Sequence, residues 1–397
     1  MTKVEIVQIS LWEQTKLHLL CFVYGLYVIV KCFFKWTWDR KNFFRMHQRD
    51  KPPPCLVDNS LGKHSYVKLK GIKFHYVETG EKYKPLLLLL HGFPDCWLSW
   101  REQLPVLSEH YRVIALDLKG FGDSDKPTRR TSYRMEVLIN ELRQFISTLG
   151  VDNCSIIGHD LGGLLGWFMT MLHSEIIDKF VAISSPHPNL YWAELSKNKS
   201  FHKWMHFSRL PFLPEIDALK EDLSIINNTF QHLQANQKSE KNYVEAYKYA
   251  FSRREDWTGP INYYRNLPFV RVNSNEPLVN QTLLIVGNSD PWVSLESIVR
   301  SSEYVLRSNI KVITGAQHFP HQENPDVVNQ VILNFLIGPP VQNEKNNSKS
   351  IVSTWLGSLS STVKYGNQVF DAVHKKTNGV ISSLPNKVLY LGHTTTL

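Results

Sequence analysis

The 397-residue chain has little with which to cross-link itself or hold a metal by a recognisable motif. Its five cysteines, Cys21, Cys32, Cys55, Cys96 and Cys154, fall without CxxC or CxxxC spacing, which argues against a disulfide framework or a thiolate zinc site. No internal repeat is visible, which sets aside solenoids and propellers. Low-complexity sequence is confined to the Ser/Asn/Lys-rich stretch near 342–354. At 43% hydrophobic, 20% charged and 12% aromatic, the chain is neither a disordered tail nor a stapled miniprotein.

Charge is scarce where a nucleic-acid reader needs it. The net +9 resolves into nine Lys/Arg against four Asp/Glu in residues 1–55 and six against two in residues 341–397, so the intervening chain is neutral. Phosphate binding requires clustered cations on the folded surface, and no nucleic-acid partner is expected.

The N-terminal end carries the apolar run. Leu17–Val30 holds no acid or base, and with Lys31 and Lys35 snorkelling the apolar character extends to Trp38, about 22 positions or roughly 30 Å of helix. Phe33, Phe34, Lys35, Trp36 and Thr37 offer no small-residue cleavage site, so the segment reads as a single-pass anchor, with an amphipathic or re-entrant anchor as the alternative. Seven cations, Lys31, Lys35, Arg40, Lys41, Arg45, Arg49 and Lys51, follow the run and only Lys3 and Lys16 precede it. The positive-inside rule then puts the folded domain on the cytosolic side, with the endoplasmic reticulum as the expected membrane and lipid as a partner. Lys51–Pro54 closes the anchor region, residues 1–55, as a stiff spacer. At the other end, Ile351, Trp355, Leu359, Val363, Phe370 and Val373 recur at near-helical spacing, and residues 341–397 read as a disordered tail or an interfacial helix.

Between the ends the pattern is α/β. Residues 66–78 alternate around Gly71, and short apolar runs follow at Leu86–Leu90, Val113–Leu116, Ser155–Ile157, Val181–Ser184, Thr282–Val286 and Lys311–Ile313. Runs this short and this apolar suit parallel strands covered on both faces. Helix candidates at 133–149, 163–173, 295–306 and 325–336 alternate with them. The interval 186–275 breaks the alternation and reads as a helical cap, dividing the core into 56–185 and 276–340.

The sharpest chemical signal is Gly158-His159-Asp160-Leu161-Gly162, between a strand and a helix. It has the spacing of a nucleophile elbow, in which small flanking residues let the central side chain project from a strained turn, here with Asp at the centre. His91-Gly92-Phe93-Pro94 follows the Leu86–Leu90 strand and is placed to lend a backbone N–H, from Phe93, to an oxyanion hole completed by Leu161 N–H. Asp290 follows one later strand and His318 the next, giving the chain order nucleophile, acid, histidine. His91 reads as structural.

These residues carry a resemblance. His91–Arg101, Asp117–Pro127, Gly158–Gly163, Gly259–Asn266 and His318–Pro325 together resemble the epoxide hydrolases of the α/β-hydrolase fold, and with the anchor they are most similar to the membrane-anchored animal branch. The resemblance implies that Asp160 attacks an epoxide carbon to give an alkyl ester, which water activated by His318, oriented by Asp290, then hydrolyses. It implies no metal or cofactor and no obligate protein partner. The substrate it implies is a lipophilic epoxide, such as an epoxidised fatty acid, a terpenoid epoxide or a xenobiotic, opened to a vicinal diol. Two cap tyrosines protonate the opening ring in this family. Tyr264 matches one; counting back from Leu210 and Pro211 puts the other at Trp204, whose indole N–H donates but is no usable acid near neutral pH. His206 and Tyr191 are the substitutes for that second donor, and each reads first as a packing residue. The chain departs from the family at Leu161, commonly Trp, at Lys119, commonly Arg and read as structural, and at His321, often Gln and also read as structural. Leu161 disfavours a haloalkane dehalogenase, which typically holds its halide with an indole N–H there. That enzyme and a catalytically weak lipid-binding or scaffold member of the fold are the alternatives.

Overall fold

The computed structural model describes residues 4–43, 45–194, 207–235, 243–274, 276–338 and 390–394. Its main sheet has nine strands. In chain order, after β1 (Glu5–Gln8), they are β2 (Lys63–Leu69), β3 (Ile72–Thr79), β4 (Leu86–Leu90), β5 (Arg112–Leu116), β6 (Cys154–His159), β7 (Ile177–Ile183), β9 (Gln281–Gly287), β10 (Arg307–Ile313) and β11 (Tyr390–Thr394), with β8 (Val270–Asn273) standing apart. The spatial order is β11-β10-β9-β7-β6-β4-β5-β3-β2, parallel from β10 through to β5 and antiparallel at both edges. β2 and β3 form a hairpin whose two-residue turn, Lys70 at φ 47° and Gly71 at φ 88°, needs the left-handed region twice, which matches the strand twist.

Every residue of β4, β5 and β6 is buried, as strands with helices on both faces must be. Helices Met135–Thr148, Asp160–Leu172 and Leu295–Ser301 supply crossovers, and Pro325–Ile337 packs back after the last parallel strand. All four parallel strands that carry a predicted site residue therefore end on the same edge of the sheet, the edge where open α/β sheets bind ligands.

The cap interval is helical over Pro188–Glu194, Leu213–Thr229, Gln231–Ala235, Tyr243–Ala250 and Glu255–Asn266. It differs from the sequence reading at its end, where β8 pairs antiparallel with β1. Four residues near the N-terminus thus supply the partner that makes a strand of a segment read as helix. β11, from the far C-terminal tail, is the other strand the sequence pattern did not suggest; residues 339–389 and 395–397 lie outside the described residues.

The apolar N-terminal segment is one helix, Leu11–Trp38, opened by a capping box in which Glu13 N–H donates to Ser10 Oγ at 3.3 Å and Ser10 N–H to the Glu13 carboxylate at 3.1 Å. Its 28 residues span about 42 Å, long and apolar enough to cross a membrane by length and composition. One face meets the cap: Cys21 and Gly25 are buried, Cys32 Sγ is 3.4 Å from Asp217 Oδ1, and a Cβ on Gly25 would strike the Leu210 side chain. Leu19, Leu20, Phe22, Val23, Phe33 and Phe34 are exposed. The basic linker is also engaged with protein. Arg49 makes a bidentate pair with Asp222, 2.8 Å on each arm, and reaches Glu245 at 3.0 Å, while Lys35 pairs with Glu221.

Lys119, in the loop after β5, is buried against Glu141 of the Met135–Thr148 helix, with both carboxylate oxygens at 2.7 Å from Nζ and the Ser132 carbonyl at 2.8 Å. Removing one partner of such a pair leaves the other charge buried without compensation. Glu141→Ala is expected to cost about 3–5 kcal/mol, read as a lowered denaturant midpoint at unchanged m-value. A loss below about 1 kcal/mol, the range of a surface pair, would show that water reaches the ammonium.

Candidate active site

Asp160 sits at the first position of the helix that follows β6, with φ 45°. A left-handed Asp is strained, and the surroundings permit nothing else. A Cβ on Gly158 would lie 2.5 Å from the Gly162 carbonyl oxygen, and one on Gly162 would lie 2.1 Å from the Leu90 carbonyl oxygen. The two glycines let the elbow close against β4, and the turn lifts the Asp160 carboxylate out of the sheet edge. Ser185 Oγ donates to the Asp160 carbonyl at 2.9 Å and fixes the other side of the turn.

The predicted residues converge on that carboxylate. Phe93 N–H donates to Asp160 Oδ2 at 3.1 Å, and Leu161 N–H also hydrogen-bonds the carboxylate. His318 Nε2 faces Asp160 Oδ1 at 4.0 Å, and its Nδ1 lies 2.9 and 3.1 Å from the two oxygens of Asp290. Carboxylates only accept, so Nδ1 carries a proton toward Asp290, which leaves Nε2 as the nitrogen that faces Asp160. Asp290 is held in turn by Trp292 N–H at 2.9 Å and Val293 N–H at 3.0 Å. Trp292 stacks obliquely on His318, with ring centroids 4.4 Å apart.

The electrostatics follow from burial and charge. Burial pushes the Asp160 carboxyl upward, more than the nearby His318 and the two N–H donors pull it down. Asp290 is also buried, yet His318 and the backbone donors hold it below the ordinary carboxylate value. Burial opposes charge on His318, but Asp290, then Asp160, outweigh it and leave the imidazole above its ordinary value.

Tyr264, on the buried face of Glu255–Asn266, hydrogen-bonds the Asp160 carboxylate. Trp204 and His206 lie outside the described residues. Tyr191, the substitute donor that the sequence read first as packing, lies on the short helix after β7, buried within electrostatic reach of both Asp160 and Tyr264. Burial first, and then the Asp160 charge, hold both phenols far above their ordinary value, so both stay protonated. The signal was there in Pro188-Asn189-Leu190-Tyr191, close behind the carboxyl end of a parallel strand. Phe93, Phe251 and Trp257 wall the site with edge-to-face or tilted ring contacts at 4.8–6.5 Å.

His91 is spent within its own loops, with Nδ1 on the Gly92 carbonyl at 2.8 Å and Nε2 accepting from Leu118 N–H at 3.1 Å, and burial takes its pKa down to about 4. A buried polar group stands behind the triad: Asp95, Ser99, His159, His321 and Gln322. Only the departure at His321 hinted at it.

A buried carboxylate under two N–H donors, a histidine paired with a second carboxylate, and two phenols gather at the carboxyl edge of an α/β sheet. Residues 85–325 match the family model described as the alpha/beta hydrolase fold, and the chain belongs to that family. It is 35% identical to human epoxide hydrolase 4 over 74% of this chain and 84% of that protein, and 36% identical to epoxide hydrolase 3 of Xenopus tropicalis over 74% and 83%. A crystal structure of Bacillus megaterium epoxide hydrolase with an inhibitor superposes with a TM-score of 0.60 at 28% identity, covering 68% of this chain and 99% of that one. Within the α/β-hydrolase family, the chain is one of the epoxide hydrolases.

Gly92 is the tightest point of the oxyanion loop. A Cβ there would lie 2.8 Å from His159 Nδ1, 2.9 Å from Asp160 Cβ and 3.1 Å from Asp160 Oδ2. Gly92→Ala is expected to push Phe93 N–H off the carboxylate and lower kcat by about 10²–10³-fold, the cost of one oxyanion donor. An unchanged kcat would show that the loop yields without losing that donor.

Proposed function

We propose that this epoxide hydrolase opens a lipophilic epoxide to a vicinal diol through a covalent ester on Asp160. The observation that carries the reading is the arrangement of one carboxylate between opposed groups: backbone N–H at Oδ2, and a neutral imidazole nitrogen facing Oδ1 at 4.0 Å. In the first half-reaction an Asp160 oxygen attacks one ring carbon, the carbon–oxygen bond of the epoxide breaks, and the departing oxygen takes a proton from a phenol. In the second, His318 Nε2 removes a proton from water, and the hydroxide adds to the ester carbonyl carbon of Asp160. The 4.0 Å gap suits a base that acts through one water rather than by touching the carboxylate. Phe93 and Leu161 N–H bear the oxyanion; as it collapses the acyl carbon–oxygen bond breaks, the leaving alkoxide takes the adduct's hydroxyl proton to give the diol and the carboxylate, and the proton on His318 returns to the phenolate. A serine at position 160 would leave an ether, which this water cannot cleave.

Tyr264 and Tyr191 are the acid pair in this reading. Tyr191 takes the role that counting along the sequence gave to Trp204; its burial beside Asp160 and Tyr264 supports the exchange. The ring-lined site and the apolar helix Leu11–Trp38, a candidate membrane anchor, favour a lipophilic epoxide drawn from lipid or from foreign compounds. The cations that follow the helix favour a catalytic domain facing the cytosol, with the endoplasmic reticulum as the membrane.

Single-turnover reaction with a radiolabelled lipophilic epoxide tests the mechanism. His318→Gln is expected to accumulate label as an ester on Asp160, and Asp160→Asn to hold none. Halide release without diol from a haloalkane would favour the dehalogenase alternative, and no adduct from any lipophilic epoxide the scaffold alternative. Tyr191→Phe is expected to slow ester formation about 10- to 100-fold, a part of what general acid catalysis contributes, while Trp204→Phe leaves it near wild type. The reverse ranking would return the second donor to Trp204.

The pH dependence has a fixed sign. His318 acts as a base only when neutral, so ester hydrolysis fails as pH falls through its raised pKa. Asp290→Asn removes the charge that raises it and is expected to move the acid limb of single-turnover hydrolysis to lower pH. An acid limb that stays in place would assign it to another group.

A further inference from the structure

The hydrolytic reaction leaves Asp95, His159 and His321 without a task. All three are buried, and one nitrogen of each histidine and one Asp95 oxygen lie within 4.8 Å of one another. The two rings stand 4.6 Å apart, centroid to centroid.

Their hydrogen bonds decide which atoms are open. His159 Nε2 is 2.9 Å from the His318 carbonyl, which only accepts, so Nε2 carries the proton and Nδ1 is a bare lone pair. The single hydroxyl proton of Ser99 goes to Asp95 Oδ2 at 2.6 Å. Ser99 Oγ therefore accepts from His321 Nε2 at 2.9 Å, and Nδ1 of His321 is bare as well. Neither Nδ1 has a hydrogen-bond partner among the described residues. Two buried acceptors beside a carboxylate are expensive without a donor. A divalent cation that favours imidazole would satisfy both nitrogens, with Asp95, whose oxygens accept from Cys96 N–H at 2.8 Å and Ser99 Oγ at 2.6 Å, as its acidic ligand; the far nitrogen of each ring is already anchored on an oxygen, as it is in metal-bound histidines. Burial holds both imidazoles neutral, the form that binds metal. His321 stands where related enzymes often carry Gln, so the second imidazole is a property of this chain.

We propose that Asp95, His159 and His321 form a binding site for a zinc-like divalent transition cation, and that filling it inhibits the enzyme. Ligand atoms on a tetrahedral zinc are roughly 3.3 Å apart, so binding must draw together atoms now spread over as much as 4.8 Å. His159 cannot move alone. It is the chain neighbour of Asp160, and its Nε2–H holds the His318 carbonyl. Contraction around the metal shifts nucleophile and base relative to each other, and a displacement of about 1 Å costs on the order of 10²-fold in rate.

Equilibrium dialysis of the full chain against Zn2+ tests the site without reference to any reaction, and Co2+ gives the absorption of a tetrahedral nitrogen–oxygen site. One bound metal per chain is expected, weakened at least about 10-fold in His321→Gln and in the isosteric Asp95→Asn, a loss no smaller than outer-shell changes produce. Zn2+ inhibition, scored against each variant's own metal-free rate, is expected to weaken by the same factor. Equal binding by wild type and both variants would overturn the proposal, as would no bound metal, which would leave a bridging water as the occupant. Inhibition undiminished in both variants would also overturn it, by moving the metal to Asp160 and His318.

Discussion

The site depends on how closely two backbones approach. At the carboxyl end of the sheet, the β6 elbow must pass against the end of β4, and no side chain fits at Gly158 or Gly162 without entering a carbonyl oxygen. That contact holds Asp160 in a left-handed conformation. The same contact brings the loop after β4 within a hydrogen bond of the carboxylate, so the Asp160 carboxylate and the Phe93 N–H are positioned by one constraint. Asp290 and His318 arrive because β9 and β10 run parallel to β6 and end on the same edge.

Buried charge holds the loops around this edge. Asp117, at the end of β5, accepts from His75 at 2.7 Å, Trp97 N–H at 2.8 Å and Asp123 N–H at 3.1 Å. Those partners take its carboxyl down to about 2, against the upward push of its burial. Arg265 is locked to Glu215 at 2.8 Å and keeps the Tyr264 helix against the rest of the cap. Each group is satisfied on several sides, the condition under which a buried charge specifies one arrangement. The linker obeys the same rule. Read as a run of cations awaiting a membrane surface, it gives up Arg49 to a part-buried pair with Asp222 and Lys35 to a half-exposed pair with Glu221, so part of the N-terminal positive charge is engaged by the cap.

Much of the site was legible because its residues sit at fixed offsets from strands. Asp160, Phe93, Leu161, Asp290 and His318 each end or follow a short apolar run, and parallel strands leave little freedom in where such residues gather. The cap resisted reading for the opposite reason. Its helices carry aromatics on many faces, and their packing angles are set by contacts distant in sequence, so an offset counted from Leu210 had no geometric anchor. Tyr191 ranked only as a substitute donor because a lone tyrosine on a short helix is ordinary packing until its neighbours are known. β8 and β11 were invisible because their partners lie far away along the chain.

The sequence by itself determined the class of fold, the chain order in which Asp160, Asp290 and His318 follow parallel strands, and the placing of basic charge at the two ends. These follow from local patterns: the length of apolar runs, glycine spacing around an aspartate, and a count of side chains. Only the tertiary structure decided that Tyr191 lies within reach of Asp160 and Tyr264, that one face of the apolar helix meets the cap, and that two buried imidazoles gather with Asp95. Each is a meeting of residues from separate elements, and such meetings are set by how the elements pack.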